Sequence, residues 1–322
     1  MPPVTYADIE AAASRLAGEA VVTPMIESLA LNARLGGRVL LKPETLQLGG
    51  AFKFRGAYNR ISQLTEAEKQ RGVVAFSSGN HAQGVALAAR RVGASALIVM
   101  PTDAPKSKID ATMAYGAEVL LYDRYTQDRE VIARKIAAER GSVVVPSYDD
   151  VHVIAGQGTV GLELARQTDE LDVLLCPVGG GGLVAGVSTA LKQHFPNVDI
   201  WGVEPAAFDD TRRSLESGRR EHIDPAARSI CDALQSPSPG EITFEINRHN
   251  LAGVLTVTDG EVADAVRYAF TTLKLVVEPG GAVALAAALA GKLDLAGRTT
   301  AIVLSGGNVD PELYSSILSG AL

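Results

Sequence analysis

The sequence predicts an α/β fold: two α/β domains with mostly parallel sheets. Three observations carry that expectation. Short apolar runs alternate with helical patterns along the whole chain. The 32 glycines suit many tight strand-to-helix turns. A length of 322 residues fits two domains, or one large unit with an inserted lobe.

The strand candidates are 39–41, 73–76, 96–99, 119–121, 143–145, 173–178, 200–203 and 301–304. They are brief, apolar throughout and often β-branched, as strands covered on both faces must be. Two helix starts are legible. Thr65-Glu66-Ala67-Glu68 and Thr258-Asp259-Gly260-Glu261 both fit the capping box, in which a hydroxyl and a carboxylate satisfy free backbone amides. Strand–helix–strand repetition implies right-handed crossovers, with ligand sites at the carboxyl ends of the strands. The stretch 235–240, with two prolines and two serines, reads as an ordered loop over the site.

Composition narrows the function. A hydrophobic fraction of 47% excludes a disordered chain. The net charge of −7, from 30 basic and 37 acidic residues, offers no concentrated cationic face for nucleic acid or anionic membrane. No segment reaches the roughly 18 uninterrupted apolar residues of a membrane helix. Met1-Pro2-Pro3-Val4-Thr5 lacks the basic-then-apolar pattern of a signal peptide. Cys176 and Cys231 read as buried thiols and form neither a disulfide framework nor a metal motif. The expected setting is the cytoplasm.

Three loops and one lysine-bearing segment carry chemistry. Gly179, Gly180, Gly181 and Gly182 follow one strand and open a helix near Leu183; their amides and the helix dipole suit a phosphate. Gly180 to Ala185 also satisfies G-x-G-x-x-A, with Glu204 about twenty residues on, so a dinucleotide-binding oxidoreductase is the competing reading. Lys53 lies in Gly49-Gly50-Ala51-Phe52-Lys53-Phe54-Arg55-Gly56, where apolar neighbours can keep an amine partly neutral for imine formation. That segment alone equally suits a surface lysine, with Phe52 and Phe54 on the buried face of a strand. Ser77-Ser78-Gly79-Asn80-His81 supplies hydroxyls and helix-start donors for a carboxylate, or simply caps a helix. Ser305-Gly306-Gly307-Asn308 ends another buried strand in the same way. Polar loops at three strand ends imply one shared cleft. His152, His194, His222 and His249 lack metal-ligand spacing.

The segments A-F-K-F-R-G, S-S-G-N-H, V-G-G-G-G-L and L-S-G-G-N, in this order, resemble fold-type II (tryptophan synthase β-like) pyridoxal-phosphate enzymes, notably serine racemase, threonine dehydratase and 3-hydroxyaspartate dehydratase. Ala155-Gly156-Gln157-Gly158-Thr159 matches as well. The resemblance implies pyridoxal 5′-phosphate (PLP) as cofactor. Lys53 would form the imine, Phe52 would pack on the pyridine ring, and Asn80 would bond the ring's 3′-oxygen. Gly179 to Gly182 with Leu183 would hold the phosphate, and Ser305 would meet the pyridine nitrogen. Ser77, Ser78, Asn80 and His81 would surround the substrate carboxylate, with Ser78 on the ring face opposite Lys53. The implied domains are a large PLP-binding one, 1–71 with 150–322, and a small closing one, 72–149. The implied partners are a small amino-acid substrate and a second copy of the chain. The isoleucine-sensing dehydratases carry a further C-terminal domain, so such feedback is not expected here.

The implied reaction removes water and then ammonia from a β-hydroxy-α-amino acid, with the freed Lys53 as general base. A neutral Ser305 does not keep the pyridine nitrogen protonated, which favours elimination of a β-hydroxyl over transamination. Arg129 falls where serine racemase has an arginine able to reach a distal carboxylate, which favours 3-hydroxyaspartate; it could instead pair at a helix start with Glu130 or Asp128. Serine or threonine dehydration and racemisation through Ser78 are the alternatives. Glu204-Pro205-Ala206-Ala207-Phe208-Asp209-Asp210 resembles the racemase cation loop. There Glu204, Asp210 and the Phe208 carbonyl would bind Mg²⁺ or Ca²⁺ in a structural role. Otherwise Asp209 or Asp210 caps a helix from Thr211 and Glu204 pairs with an arginine.

Overall fold

The protein is described by a computed structural model over residues 3–322. Its ten strands are β1 (Ile26–Glu27), β2 (Arg38–Pro43), β3 (Val73–Phe76), β4 (Ala96–Pro101), β5 (Glu118–Tyr122), β6 (Val143–Val144), β7 (Val173–Pro177), β8 (Asp199–Pro205), β9 (Gly253–Val257) and β10 (Thr299–Leu304). They form a six-stranded sheet, ordered β1-β2-β10-β7-β8-β9, and a four-stranded sheet, ordered β5-β4-β3-β6. Every pairing is parallel except that of β1 with β2. The four-stranded sheet is drawn from one continuous stretch of chain, so it is an insertion between β2 and β7.

The inner strands are apolar and fully covered. β7 and β10 are buried at every residue, as helices on both faces of a parallel sheet require. The edge strands of the four-stranded sheet depart from the expected cover: Leu120 and Leu121 of β5 are exposed and β6 is half-buried. Two further strands carry no continuous apolar run. β1 is only two residues long, and β9 is an edge strand with a half-buried Gly-Val-Leu-Thr-Val sequence. The proposed capping boxes form at Thr65 and Thr258, and a third forms at Thr5 with Asp8. No helix among the described residues is long and apolar enough to cross a membrane.

Three helices position the site. Helix Lys53–Ile61 packs on helix Val151–Gln167, which packs on helix Gly182–His194. Glycines of the Ala155–Thr159 motif allow the close crossing: a Cβ on Gly158 would lie 2.9 Å from the Gly186 carbonyl, and one on Gly186 would lie 2.3 Å from that of Ile154. The first crossing is locked by buried charge. Arg55, 1% exposed, donates through Nε and Nη2 to both oxygens of Glu44, each at 2.8 Å. It also donates to both oxygens of Glu163, at 2.5 and 3.0 Å. Lys42 completes the group with a 2.6 Å bond to Glu163. Burial raises the cost of every charge here, and mutual pairing offsets it: the two carboxylates hold the Arg55 guanidinium firmly protonated and Arg55 holds Glu44 low.

Truncating Arg55 leaves Glu44 buried without its main partner. The expected cost of Arg55→Ala is about 3–5 kcal/mol in chemical unfolding. A loss below about 1 kcal/mol would show that the network is not what fixes these helices.

Candidate active site

Lys53 does not sit on a strand; it is the first residue of helix Lys53–Ile61. The helix start is tied to the end of β10, because the Phe52 amide donates to the Ser305 carbonyl at 3.1 Å and Ala51 bridges Gly306. The Lys53 amine donates to the Ser147 carbonyl at 2.6 Å and pairs with no carboxylate among the described residues. Burial alone lowers its pKa to about 8. An amine with this poise is substantially neutral in mildly alkaline solution, as an imine-forming nucleophile requires.

The tetraglycine turn lies opposite. Its carbonyls are tied outward: that of Gly180 accepts from Thr243 Oγ1 at 2.7 Å and from the Gly240 amide, and that of Gly181 accepts from Asn247 Nδ2 at 3.3 Å. Gly181 has φ of 90°, which only glycine adopts readily. None of the amides from Gly179 to Leu183 finds a protein acceptor among the described residues. Five free donors at a helix N-terminus fit a phosphate. The buried Gln157, with neither side-chain polar atom partnered, stands beside Gly182 and adds a further unsatisfied group there.

The remaining predicted residues meet around the same pocket. It is lined by Phe52, Lys53, the 77–81 loop, Arg129, Gly179 to Leu183 and Ser305. Ser77 accepts the Gly79 amide at 3.2 Å, and Asn80 opens helix Asn80–Val92. The Asn80 amide is held at both ends, donating to Glu278 at 2.5 Å and accepting from Asn308 at 2.8 Å. His81 Nε2 pairs with the Val145 carbonyl at 2.9 Å. Burial and the Lys53 charge push its pKa down to about 3, so the ring is neutral and only its backbone amide is left for a carboxylate. Arg129 opens helix Arg129–Arg140 with its guanidinium carbon 5.7 Å from the Phe76 ring centroid. It pairs with neither Glu130 nor Asp128. Asp128 caps the helix instead, Glu130 binds Arg134, and Arg129 makes no ion pair among the described residues.

Four lining residues with ionisable side chains carried no motif. Tyr148 covers the turn so closely that a Cβ on Gly180 would lie 2.3 Å from its ring. Lys108 and Asp232 form an ion pair at the pocket. Glu278 is 1% exposed, and burial reinforced by Asp232 raises its pKa to about 7. Its one sequence mark was a glutamate directly before Pro279-Gly280-Gly281, a helix start. Gln235 and Ser236, from the 235–240 stretch, also line the pocket.

At the end of β8, Glu204 caps helix Asp210–Ser217 by accepting the amides of Thr211 and Arg212, each at 3.0 Å. Asp209 takes the arginines, Arg212 and Arg213. Thus neither alternative role expected for these acids holds: the helix begins at Asp210, and its cap is Glu204. Both oxygens of Asp210 are buried without a partner, and Phe208 is buried beside them in sequence. Burial raises the pKa of both acids, reinforced at Glu204 by the Asp210 charge and at Asp210 by that of Asp209. No group of three acidic, histidine or cysteine side chains gathers here or elsewhere among the described residues.

Comparison with known proteins agrees with this geometry. The chain is 47% identical over 316 residues to an L-threo-3-hydroxyaspartate ammonia-lyase from Pseudomonas sp., covering 98% of this chain and 99% of that one. It is 45% identical to the Saccharomyces cerevisiae protein of the same name, covering 98% and 97%. The structure of maize serine racemase superposes with a TM-score of 0.93 at 35% identity, covering 99% and 98%. Residues 17–306 match the family described as pyridoxal-phosphate dependent enzyme. With an amine, a phosphate cradle and a shared pocket arranged as that cofactor needs, the chain belongs to the pyridoxal-phosphate dependent enzymes, in their fold-type II branch.

Proposed function

We propose that this chain is an ammonia-lyase that converts 3-hydroxyaspartate to oxaloacetate and ammonia. The observation that carries the substrate choice is Arg129, a guanidinium in the pocket with no counter-ion among the described residues. Similarity to two L-threo-3-hydroxyaspartate ammonia-lyases supports the same reading.

When bound, PLP supplies the electron sink for charge released at Cα. The protein's part is orientation and proton handling. Free amides from Gly179 to Leu183 would hold the phosphate, and the neutral Ser305 hydroxyl would meet the pyridine nitrogen. Asn80, fixed by Glu278 and Asn308, keeps one N–H that would serve the ring oxygen, and Phe52 would pack on the ring. The Ser77 and Ser78 hydroxyls and the helix start at Asn80 and His81 receive the α-carboxylate. Arg129 receives the distal carboxylate through its paired N–H groups. Lys53 removes the Cα proton, its lowered pKa suiting it to act as a base near neutral pH. The β-hydroxyl departs as water, and the released enamine tautomerises and hydrolyses to the keto acid and ammonia. Ser78 also lines the pocket, and its hydroxyl on the ring face opposite Lys53 would return a proton there, so racemisation is the second reading, favoured by the likeness to serine racemase. Serine or threonine would leave Arg129 unpaired.

A divalent cation fits the 204–210 loop. Glu204, Asp210 and the Phe208 carbonyl would hold Mg²⁺ or Ca²⁺ with water completing the shell, giving the bare Asp210 oxygens a partner. A reducing, cytoplasmic setting fits two buried, free cysteines.

Arg129→Ala should cut kcat/KM on hydroxyaspartate about 10- to 100-fold, as loss of a charge-assisted pair implies, and that on serine far less. Equal losses would remove the substrate argument, and inversion without keto acid would favour the racemase. The rate of PLP loading into apoprotein should rise with pH around a midpoint near 8, because only the neutral amine attacks the aldehyde. A midpoint near the ordinary lysine value of about 10.4 would contradict this poise. Chelation should lower the melting temperature of the wild type and leave that of Glu204→Gln unchanged; no response in the wild type would exclude the cation.

A further inference from the structure

An ion pair joins the two sheets' halves of the molecule across the pocket. Lys108 belongs to helix Lys106–Ala114, which follows β4 in the four-stranded unit. Asp232 opens a single 3-10 turn, Asp232–Leu234, in the six-stranded unit, 124 residues away in sequence. The Lys108 amine donates to the Asp232 carboxylate. Its side chain is 9% exposed and that of Asp232 is 49% exposed, so the pair runs from the pocket interior to its rim. A Cβ on Gly79 would lie 3.9 Å from the amine, which places Lys108 beside the carboxylate-binding loop. A lysine buried to this degree needs a counter-ion, and Asp232 is its one ion-pair partner among the described residues.

We propose that Lys108 and Asp232 form an electrostatic clasp that fastens the four-stranded unit over the occupied pocket. Substrate enters between the two units, and the pair lies across that path. The 77–81 loop and Arg129 ride on the same unit as Lys108, so closing the clasp carries the carboxylate-binding groups onto the substrate and excludes water. Lys108 and Asp232 are positioning residues: they act on the substrate through the unit they fasten. The inference rests on this pocket being the site of the lyase reaction, but not on hydroxyaspartate being its substrate.

The test uses holoenzyme carrying Lys108→Gln, Asp232→Asn, or the reversed pair Lys108→Asp with Asp232→Lys. Each single variant should raise KM about tenfold while kcat moves less than about threefold, the signature of a shifted closing equilibrium. Hydrogen exchange of amides 106–114 should speed up in both single variants, with PLP absorbance unchanged. The reversed pair should restore KM and protection together. With serine, which does not engage Arg129, added KCl should raise KM of the wild type more steeply than that of the single variants, and a salt-independent wild-type KM would count against the clasp. Failure of the reversed pair to restore either quantity would overturn the clasp. So would a KM rise confined to Lys108→Gln, the pattern of a lysine that binds substrate directly. Serine is assayed beside hydroxyaspartate: ammonia from serine alone sinks the substrate assignment while the clasp is still judged on serine.

Discussion

The position of one buried guanidinium sets the frame of this site. Arg55 binds Glu44 and Glu163 at once, and so joins the helix that begins at Lys53 to the long helix Val151–Gln167. That long helix in turn seats the helix whose N-terminus is the tetraglycine turn. The separation of the Lys53 amine from the tetraglycine turn therefore depends on how these three helices pack. Buried ion pairs are weak sources of net stability, because desolvation cancels most of the attraction. Their specificity is another matter: a helix start slipped by one residue would strand both carboxylates, so only one register is allowed.

The two units divide the labour. The six-stranded unit holds most of the groups assigned to the cofactor, namely Phe52, Lys53, the glycine turn and Ser305. The four-stranded unit brings Ser77, Ser78, Lys108 and Arg129, together with Asn80, the one group of this unit assigned to the cofactor's ring. Asn80 bridges the halves through Glu278 and Asn308. The Lys108–Asp232 pair bridges them a second time. The fixed half suits a permanent guest, and the second half suits one that comes and goes.

Electrostatics inside the pocket point the same way. Lys53 is lowered toward neutrality, His81 is neutral, and Glu278 is raised toward its protonated form. Lys108 is already engaged by Asp232, which leaves the Arg129 guanidinium without an ion-pair partner among the described residues. An uncommitted guanidinium in the pocket favours a substrate bearing an extra negative charge.

The sequence by itself determined the parallel α/β class, eight of the ten strands and three loops that converge on one pocket. Those features are local: an apolar β-branched run, a capping box or four successive glycines has the same meaning wherever the chain takes it. β9 was invisible because an edge strand needs only half a hydrophobic pattern, and β1 because two residues carry no period. Tertiary structure alone decided that Lys53 starts a helix, that Glu204 caps one, and that Asp209 takes the arginines. It also decided the roles of Glu278, Tyr148, Lys108 and Asp232. Glu278, Tyr148, Lys108 and Asp232 depend on partners tens to hundreds of residues away, and Glu204 and Asp209 on nearby groups that only the turn after β8 brings to them; a polar side chain declares its role only when burial shows which group must satisfy it.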